Sequence, residues 1–455
     1  MKLPETPPDG GEILAGLDRE EPETVARLFG GTPTDTAGKY RHWDTMRRLA
    51  PPEGLTTREW WLQTKFVRLA MRKPLPLADK AGQPFWYAMV DPVLDYLHRV
   101  DQRAAGEVKV SAVVTNPATR DRYVVRSLIE EAITSSQLEG AVTTRAVAAD
   151  MLRSGRRPRD RSERMIANNF QAVQFVRDHR DEPMTPELLC RLQAIVTEDT
   201  LDEAGTSGRF QAPGDVRVRV LDQDGQLLHS PPPAEELPER MDALCRFANG
   251  ETGAGFMHPV VRAVVLHFWL AYDHPFADGN GRAARALFYW SMLHQGYWLA
   301  EFLSISRLLK QAPSRYARSF LYTETDDNDL TYFLLYQLGV LSRAIDEFFA
   351  YLARKAEEVR TVEALLRSSP AGSAAPAFNH RQLALLSHAL RAPGHEYTFA
   401  SHARSHNVAR QSARTDLLGL ESAGLLTRRK TGRAFSFHAA ADLADQFRQL
   451  GQRAR

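Results

Sequence analysis

The residues most capable of chemistry are crowded into positions 274–285, His-Pro-Phe-Ala-Asp-Gly-Asn-Gly-Arg-Ala-Ala-Arg. Arg282 and Arg285 lie three residues apart, so on a helix they share a face and can bind a polyphosphate through paired guanidinium hydrogen bonds. Asp278 can hold a magnesium ion through one carboxylate while phosphate oxygens and water complete the coordination. His274 can act as a base. The stretch is therefore predicted to bind a phosphate-rich ligand and to move a proton beside it.

Two apolar segments must position these residues. Residues 259–272 carry apolar side chains at helical spacing and residues 286–297 are apolar almost throughout, so both are predicted to be buried helices. Gly279 and Gly281 break helical propensity where the second helix begins, which leaves backbone N–H groups and the positive end of the helix dipole facing the loop. The alternative is an ordinary helix junction with solvated charges. Because so many polar residue types meet at one helix start, an anion site is favoured.

Residues 274–285 match, position for position, the signature H-P-F-x-D/E-G-N-G-R-x-x-R, and on this stretch the sequence resembles the Fic family. Most members of that family transfer AMP from ATP to a protein hydroxyl; rarer members transfer other phosphate-containing groups or remove AMP. The resemblance implies that His274 is the general base, Asp278 the Mg²⁺ ligand and Phe276 the buried anchor of the loop. It also implies nucleotide contacts: Gly279, Asn280 and Gly281 with the α- and β-phosphates, Arg282 with the β-phosphate and Arg285 with the γ-phosphate.

A second motif ends a predicted helix over residues 124–140. Ser135 and Glu139 share one face of this helix, Gly140 is its C-terminal cap, and a carboxylate in the last turn opposes the helix dipole unless it finds a cation. Taken alone, the pattern favours a solvated glutamate. The hexapeptide also resembles the family's inhibitory motif S/T-x-x-x-E-G/N, which implies that Ser135 supports Glu139 and that Glu139 pairs with Arg285 where the γ-phosphate would lie. A Fic protein restrained by an N-terminal inhibitory helix is expected.

Val216, Val218 and Val220 alternate with arginines, which predicts a strand over residues 216–220 that turns back at 222–225 toward 226–229. In a helical protein, such a hairpin is either a surface excursion or, by the resemblance, the flap beside the active site, whose edge can align a target by strand addition. Its position favours the flap. The three valines are therefore predicted to dock the target.

Length and composition set wider limits. The 455 residues exceed one typical core, and 43% apolar residues suit a soluble globular protein. Cys190 and Cys245 are predicted to fill core positions in a reducing compartment. No apolar run reaches the roughly 18–20 residues of a membrane span, and the first residues lack a signal peptide's apolar core, so a cytoplasmic location without a membrane partner is expected. The net charge of +2 indicates no particular partner.

The remaining chain is predicted to form separate segments. Residues 1–38 are Pro- and Gly-rich and are expected to be a mobile tail, and residues 39–123 a helical module with aromatic packing. The Fic domain is expected over residues 124–367. Residues 368–378 are expected to be a linker and residues 441–455 a C-terminal helix or tail.

Residues 379–440 resemble a winged helix-turn-helix, and with nine Lys and Arg against three Asp and Glu they have a net charge of +6, which leaves −4 for the rest of the chain. The alternative is a protein-docking or dimerisation module with a solvated basic face. The residues predicted to contact double-stranded DNA lie on the recognition helix and the wing: Arg410, Gln411, Arg414, Arg428, Arg429, Lys430 and Arg433.

The sequence as a whole predicts a mostly α protein: a Fic-type helical bundle with a small β-hairpin flap, followed by a winged helix-turn-helix. The expected activity is transfer of AMP from Mg²⁺-bound ATP to a Tyr, Ser or Thr hydroxyl of a target protein, which can be the chain itself. One alternative is a DNA-binding transcriptional regulator whose Fic domain senses nucleotide. Another is removal of AMP by the same site, with Glu139 positioning water. Homodimers are common among proteins of this kind.

Overall fold

The chain, seen in a computed structural model, is mostly α-helical, as the sequence predicts. It divides into two compact units, one comprising Met1–Gly106, Glu131–Val142 and Asp160–Ala344, the other comprising Glu107–Glu130, Thr143–Arg159 and Ile345–Arg455. Within the part that the structure describes, no helix is long and apolar enough to cross a bilayer. The described residues are 2–15, 30–104, 117–202, 204–221, 224–252, 255–367, 378–392, 394–431, 434–440 and 443.

Several predicted segments lie wholly or partly outside the described residues. They are residues 16–29 of the predicted tail, 222–223 of the predicted hairpin turn, 368–377 of the predicted linker, Arg433, and the C-terminal segment 441–455 apart from Leu443.

The first elements of the first unit correct two predictions. Residues 10–15, assigned to a mobile tail, form a helix, because Ile13 packs into a small core with Trp60 and Trp61. A six-residue helix is too short to show periodicity in the sequence and depends on such packing for its stability. The elements are α1 (Gly10–Ala15), α2 (Trp43–Met46), α3 (Thr57–Ala70), β1 (Arg72–Ala78), β2 (Pro84–Ala88) and α4 (Asp91–Ala104).

Strands β1 and β2 form an antiparallel hairpin inside the module that was predicted to be helical. Pro74 and Pro76 break any helix in this segment. In the structure they lie in a strand of a two-stranded sheet, where a missing N–H costs little, and the leucines that follow them, Leu75 and Leu77, are buried. The alternating burial of its side chains therefore favours a strand over a helix in this segment.

The middle of the chain supplies the helices that surround the candidate site. Helices α10 and α11 lie at its centre: the side chains of Val264 and Phe268 in α10 and of Leu287 in α11 are almost completely buried, as predicted for both segments. Residues 117–130 of α5 belong to the second unit and residues 131–138 to the first. The helices are α5 (Pro117–Leu138), α6 (Arg145–Ser154), α7 (Arg161–Asp178), α8 (Pro186–Thr197), α9 (Leu237–Ala248), α10 (Pro259–Asp273) and α11 (Asn280–His294).

Two very short strands, β3 (Val220–Leu221) and β4 (Leu227–His229), pair antiparallel between α8 and α9. After α11 follow α12 (Ile305–Gln311), α13 (Pro313–Thr325) and α14 (Thr331–Arg367). Helices α12 and α13 are separated at Ala312, because Pro313 cannot donate a helical hydrogen bond and instead begins a new helix.

The C-terminal part of the second unit consists of three helices followed by a hairpin. Its core contains Leu386, Leu417 and Phe437. Asn379 begins the first helix through a capping box with Gln382. The elements are α15 (His380–Arg391), α16 (Phe399–His406), α17 (Arg410–Ser422), β5 (Leu426–Thr431) and β6 (Ala434–Ala439).

Candidate functional site

Helix α10 ends at His274, which adopts the left-handed conformation with φ 48° and ψ 52°. Its N–H donates to the carbonyl of Leu270 at 3.1 Å, and its ring Nδ1 lies 3.2 Å from the carbonyl oxygen of Ala271. Because a carbonyl only accepts, Nδ1 carries the proton and Nε2 is the acceptor of the neutral ring. Burial lowers the pKa of His274 below its ordinary value, so the ring is neutral at neutral pH. The ring therefore has the tautomer and charge that a base requires.

Asn280 fixes the loop between the two helices. Its Oδ1 accepts from the backbone N–H of Phe276 at 2.9 Å, and its Nδ2 donates to the carbonyl of Phe276 at 2.7 Å. The ring of Phe276 is completely buried and lies 5.2 Å from that of Phe210. Since both polar atoms of the Asn280 side chain bind the loop backbone, any contact with an anion falls to its backbone N–H instead. The resemblance alone did not distinguish these two uses.

Gly279 allows α11 to begin against the end of α8. Its φ is +83°, and a Cβ there would lie 2.9 Å from Cγ2 of Thr197 and 3.1 Å from Cγ2 of Val196. Glycine is thus required both for the backbone conformation and for the close approach. Asp278 precedes it, and its Oδ1 accepts from the Gly279 N–H at 2.5 Å. The Asp278 side chain is 43% exposed, so its carboxylate also faces solvent at the helix start.

Arg282 is buried in the first turn of α11 with most of its hydrogen-bonding capacity unused. One Nη donates to the carbonyl of Val196 at 2.5 Å, and the other lies 3.5 Å from the Asp278 carboxylate. In the described part of the chain, its Nε and Nη2 have no hydrogen-bond partner. Buried, unpaired N–H groups are costly, and an anion at the helix start would satisfy them.

The structure brings Arg285, Ser135 and Glu139 together. The Arg285 guanidinium donates from Nε to Ser135 Oγ at 2.9 Å, and from Nη2 to the Ser135 carbonyl at 3.0 Å and to Glu139 Oε1 at 2.8 Å. Burial by itself would raise the pKa of Glu139, but the positive charge of Arg285 outweighs it and lowers that pKa. A Cβ on Gly281 would collide with the Glu139 carboxylate. The carboxylate therefore occupies the anion position at the start of α11.

The end of α5 aims Glu139 at this position. Gly140 adopts φ +94°, and the N–H of Ala141 donates to the carbonyl of Ser136 at 3.0 Å, which closes the helix with a left-handed cap.

Glu131 lies two turns before Glu139 on the same face of α5 and was not identified from the sequence. Its buried carboxylate accepts from Tyr289 Oη at 2.9 Å, Ser304 Oγ at 2.9 Å, the Ser306 N–H at 3.1 Å and the Ser306 hydroxyl. Burial nevertheless raises its pKa above the ordinary value. The sequence signal would have been the eight-residue spacing from Glu139, which places both carboxylates on the face of α5 that contacts α11.

The predicted flap strand is mostly wrong. Of residues 216–220 only Val220 lies in a strand; Val216 is 89% exposed, and Arg217 turns inward instead of outward. Arg217 donates to the carbonyls of Pro232, Asp273 and His274. These hydrogen bonds override the alternation of apolar and charged residues, because buried loop carbonyls need donors. Val218 is half-buried, so the three valines do not form one apolar row.

The residues predicted to contact DNA lie in the second unit. Arg410, Gln411 and Arg414 are exposed at the beginning of α17, and Arg428, Arg429 and Lys430 are exposed along β5. Arg428 also pairs with Glu421 at 3.0 Å and lies over the ring of Phe435.

Comparison with known proteins identifies the same central stretch. Residues 183–292, which include α8 to α10 and most of α11, match the sequence model of the Fic/DOC family. The protein adenylyltransferase Fic of Drosophila ananassae is 39% identical over 69 residues, 15% of this chain and 14% of that protein. That of Nematostella vectensis is 36% identical over 69 residues, 15% of this chain and 16% of that protein. The match thus spans about a seventh of the length of these curated relatives.

Among solved structures, a Fic family protein from Desulfovibrio desulfuricans G20 is similar to this chain with a TM-score of 0.49 at 18% sequence identity. The similarity covers 78% of this chain and 98% of that chain.

Proposed function

We propose that this protein transfers AMP from ATP to a Tyr, Ser or Thr hydroxyl of a target protein, with the chain itself as one candidate target. The observation that carries the proposal is the meeting of a neutral histidine with two arginines at one helix start. Arg282 is buried there with unpaired N–H groups, and Arg285 is held by a carboxylate that has the charge of a phosphate. The similarity of residues 183–292 to the Fic/DOC family supports the same reaction.

The proposed reaction needs only one proton transfer, from the target hydroxyl to His274. Nε2 of His274 takes the proton of the target hydroxyl, and the hydroxyl oxygen bonds to the α-phosphorus as the bond from that phosphorus to the α,β-bridging oxygen breaks. Pyrophosphate leaves, and AMP remains on the target. The first-turn N–H groups of α11 and the guanidinium of Arg282 are placed to stabilise the charge that moves to the phosphate oxygens.

The residues also fit a magnesium ion. Asp278 presents one partly exposed carboxylate at the helix start, and Mg²⁺ commonly takes one or two carboxylates together with phosphate oxygens and water. When bound, the ion would neutralise phosphate charge. The remaining work falls to the chain: α11 orients the phosphates, and His274 holds the proton.

Glu139 restrains this activity in our proposal. Its carboxylate uses Arg285, which is the predicted γ-phosphate contact, and it lies against Gly281, where phosphate would approach the backbone. Two like charges cannot share this position, so ATP must displace Glu139 to bind productively.

Label transfer tests the proposal. ATP labelled at the α- or γ-phosphate is incubated with Mg²⁺ and the wild type, Glu139→Gly, or Glu139→Gly/His274→Ala. We expect label from α-labelled ATP only, more of it with Glu139→Gly, and none with the double variant. Label from γ-labelled ATP would mean phosphate transfer instead. Absence of any label, with ATP bound, would refute transfer to the chain itself and send the assay to other target proteins.

The same variants test AMP removal. The Glu139→Gly variant is allowed to label itself and is then isolated. It is mixed with unlabelled wild type or with the unlabelled single variant His274→Ala, which keeps Glu139. Loss of label that requires both His274 and Glu139 would establish removal of AMP in place of a simple restraint, because it makes the carboxylate part of the reaction.

DNA binding is the second candidate function, favoured by the exposed basic residues at the beginning of α17 and along β5. Duplex binding that weakens steeply with salt, survives His274→Ala and is lost in Arg410→Ala/Arg414→Ala would support it. Binding that does not change in the arginine variant would place the contact elsewhere.

A further inference from the structure

The C-terminal end of α10 and the first residues of the loop after it are hydrogen-bonded by the segment 211–229, which precedes α9. The carbonyls of four consecutive residues, 272 to 275, each accept a hydrogen bond from that segment. The donors are His229 Nε2 to Tyr272 at 2.7 Å, Arg217 Nη2 to Asp273 at 2.6 Å, Arg217 Nη1 to His274 at 3.1 Å, and the Gln211 N–H to Pro275 at 2.8 Å.

These bonds complete the hydrogen bonding of the helix end. The last four carbonyls of a helix have no partner within the helix. In α10 the carbonyls of Leu270 and Ala271 are taken by the N–H and the ring Nδ1 of His274 itself. The next two belong to Tyr272 and Asp273 and are taken by donors from outside. The left-handed conformation of His274, which is unfavourable for a residue other than glycine, is thus fixed from both sides.

Arg217 has the central position among these donors. Its guanidinium also donates to the carbonyl of Pro232 at 2.8 Å and to the side-chain oxygen of Gln211, so all of its acceptors are uncharged oxygens. Burial lowers the pKa of Arg217, although the nearby Asp273 carboxylate opposes this. That carboxylate is itself bound by Arg240 at 2.8 Å and by Trp269 at 2.9 Å. Arg217 therefore contributes a planar set of donors that matches successive carbonyls, which a lysine cannot reproduce.

We infer that Arg217 is a positioning residue for His274: it holds the backbone on both sides of the proposed base in the conformation that aims Nε2 at the site. This inference rests on the proposed function, because it assigns Arg217 a part in that reaction. It also gives the segment a second use. Val216 and Val218, predicted to dock the target, flank Arg217, so target docking and placement of the base use the same few residues.

The test compares Arg217→Lys and Arg217→Met with Arg99→Met, all in the Glu139→Gly background. Arg99 is the control, since it is an exposed arginine outside this segment and pairs with Asp95 at 2.8 Å. We expect Arg217→Met to slow AMP transfer about 10–100-fold, because misplacing a base costs most of its contribution. Arg217→Lys should lose about tenfold, and Arg99→Met should equal the parent. ATP binding by calorimetry should stay within about twofold in all of them, because nucleotide and base use different side chains.

A second readout does not depend on activity. The pKa of His274 is measured by NMR in histidine-labelled protein. The positive charge of Arg217 itself lowers this pKa, so the informative variant is Arg217→Lys, which keeps the charge. Loss of the backbone hydrogen bonds should let the ring leave its half-buried position, so in Arg217→Lys this pKa should rise toward the ordinary value of 6.5, and in Arg99→Met it should not change.

Two results would overturn the inference: unchanged transfer and unchanged His274 titration in both Arg217 variants, or loss of transfer together with ATP binding in the folded Arg217→Lys variant. The second result would mean that Arg217 stabilises the fold in general and does not specifically position His274. If the Glu139→Gly parent itself transfers no label, AMP transfer has failed, and the His274 titration alone decides whether Arg217 positions the ring.

Discussion

The Glu139 carboxylate lies 2.8 Å from Nη2 of Arg285, and the same guanidinium also binds the hydroxyl and the carbonyl of Ser135. Arg285 is almost completely buried, whereas the Glu139 side chain retains about a third of its exposure. The arginine is thus fixed, and the glutamate is the partner that can leave. An anion that reaches Arg285 has to displace a carboxylate and does not have to move the arginine.

We therefore expect Glu139→Gln to bind ATP about tenfold more tightly than the wild type. The substitution keeps the size of the side chain and removes the charge that occupies the phosphate position; hydrogen bonds to charged groups contribute about 1.5–3 kcal/mol. Calorimetry with Mg²⁺ and ATP measures the affinity. Glu130→Gln is the control, because Glu130 lies in the preceding helix α5 and pairs with Arg145 instead. Equal ATP affinities for wild type and Glu139→Gln would contradict the idea that the Glu139 carboxylate competes with ATP for Arg285.

The pH dependence of transfer follows from His274. Burial lowers its pKa below 6.5, and a base works only when unprotonated, so activity is present above the folded pKa and is lost as pH falls through it. We expect the transfer rate of Glu139→Gly to be flat from pH 8 to below pH 6.5 and to fall only at lower pH. ATP binding measured at each pH separates this effect from protonation of the nucleotide. A rate that already declines at pH 7 would contradict the assignment of His274 as a buried neutral base.

The central helices and the glycine-broken loop could be predicted, because they depend on local spacing. The pairing of Glu139 with Arg285 was implied only by the family resemblance, since the local pattern by itself favours a solvated glutamate. The position of Arg217 could not be predicted. Alternation in the sequence placed it on the solvent side, and only the unpaired carbonyls at the end of α10, which are distant in sequence, explain why it turns inward. The β1–β2 hairpin was missed for a similar reason: prolines break a helix and are tolerated in an edge strand, and tertiary packing decides between the two.

Glu131 gives a test of what holds the end of α5, which carries the proposed restraint. Its carboxylate accepts from Tyr289, Ser304 and Ser306, and an amide in its place would turn a donor toward these donors. We expect Glu131→Gln to destabilise the protein by about 1–3 kcal/mol and to raise AMP transfer part of the way toward Glu139→Gly. Thermal unfolding and label transfer measure the two effects, with Glu130→Gln as the control. A less stable protein with wild-type transfer would show that Glu131 does not support the restraint.

The two ends of α11 offer a matched pair of glycines. Gly279 has φ +83° and Gly296 has φ +85°, but a Cβ would meet Thr197 and Val196 only at Gly279, and nothing within 4 Å at Gly296. We expect Gly296→Ala to cost about 1–2 kcal/mol of stability, the cost of the left-handed conformation, and to leave ATP binding unchanged. Gly279→Ala has the same conformational cost, and in addition its Cβ would collide with Thr197 and Val196, which would push α11 away from α8. Its ATP affinity should fall at least about tenfold, as measured by calorimetry in the Glu139→Gln background. Similar behaviour of the two variants would mean that the close approach at Gly279 does not shape the site.

Arg282 is expected to destabilise the folded protein when no ligand is bound and to stabilise it when an anion is bound. Its Nε and Nη2 have no hydrogen-bond partner among the described residues. Replacing it by methionine therefore removes buried donors without hydrogen bonds, at the loss of one bond to the Val196 carbonyl and a 3.5 Å ion pair with Asp278. In the Glu139→Gln background, we expect Arg282→Met to melt at or above the temperature of its parent when no ligand is present. Pyrophosphate with Mg²⁺ should raise the melting temperature of the parent, because a ligand stabilises the state that it binds, and should have little effect on Arg282→Met. Arg99→Met is the control, since that arginine is exposed and pairs with Asp95 at 2.8 Å. If pyrophosphate stabilises Arg282→Met as much as its parent, then the unpaired donors of Arg282 do not bind phosphate, and the anion site must be assigned to the backbone of α11 and Arg285 alone.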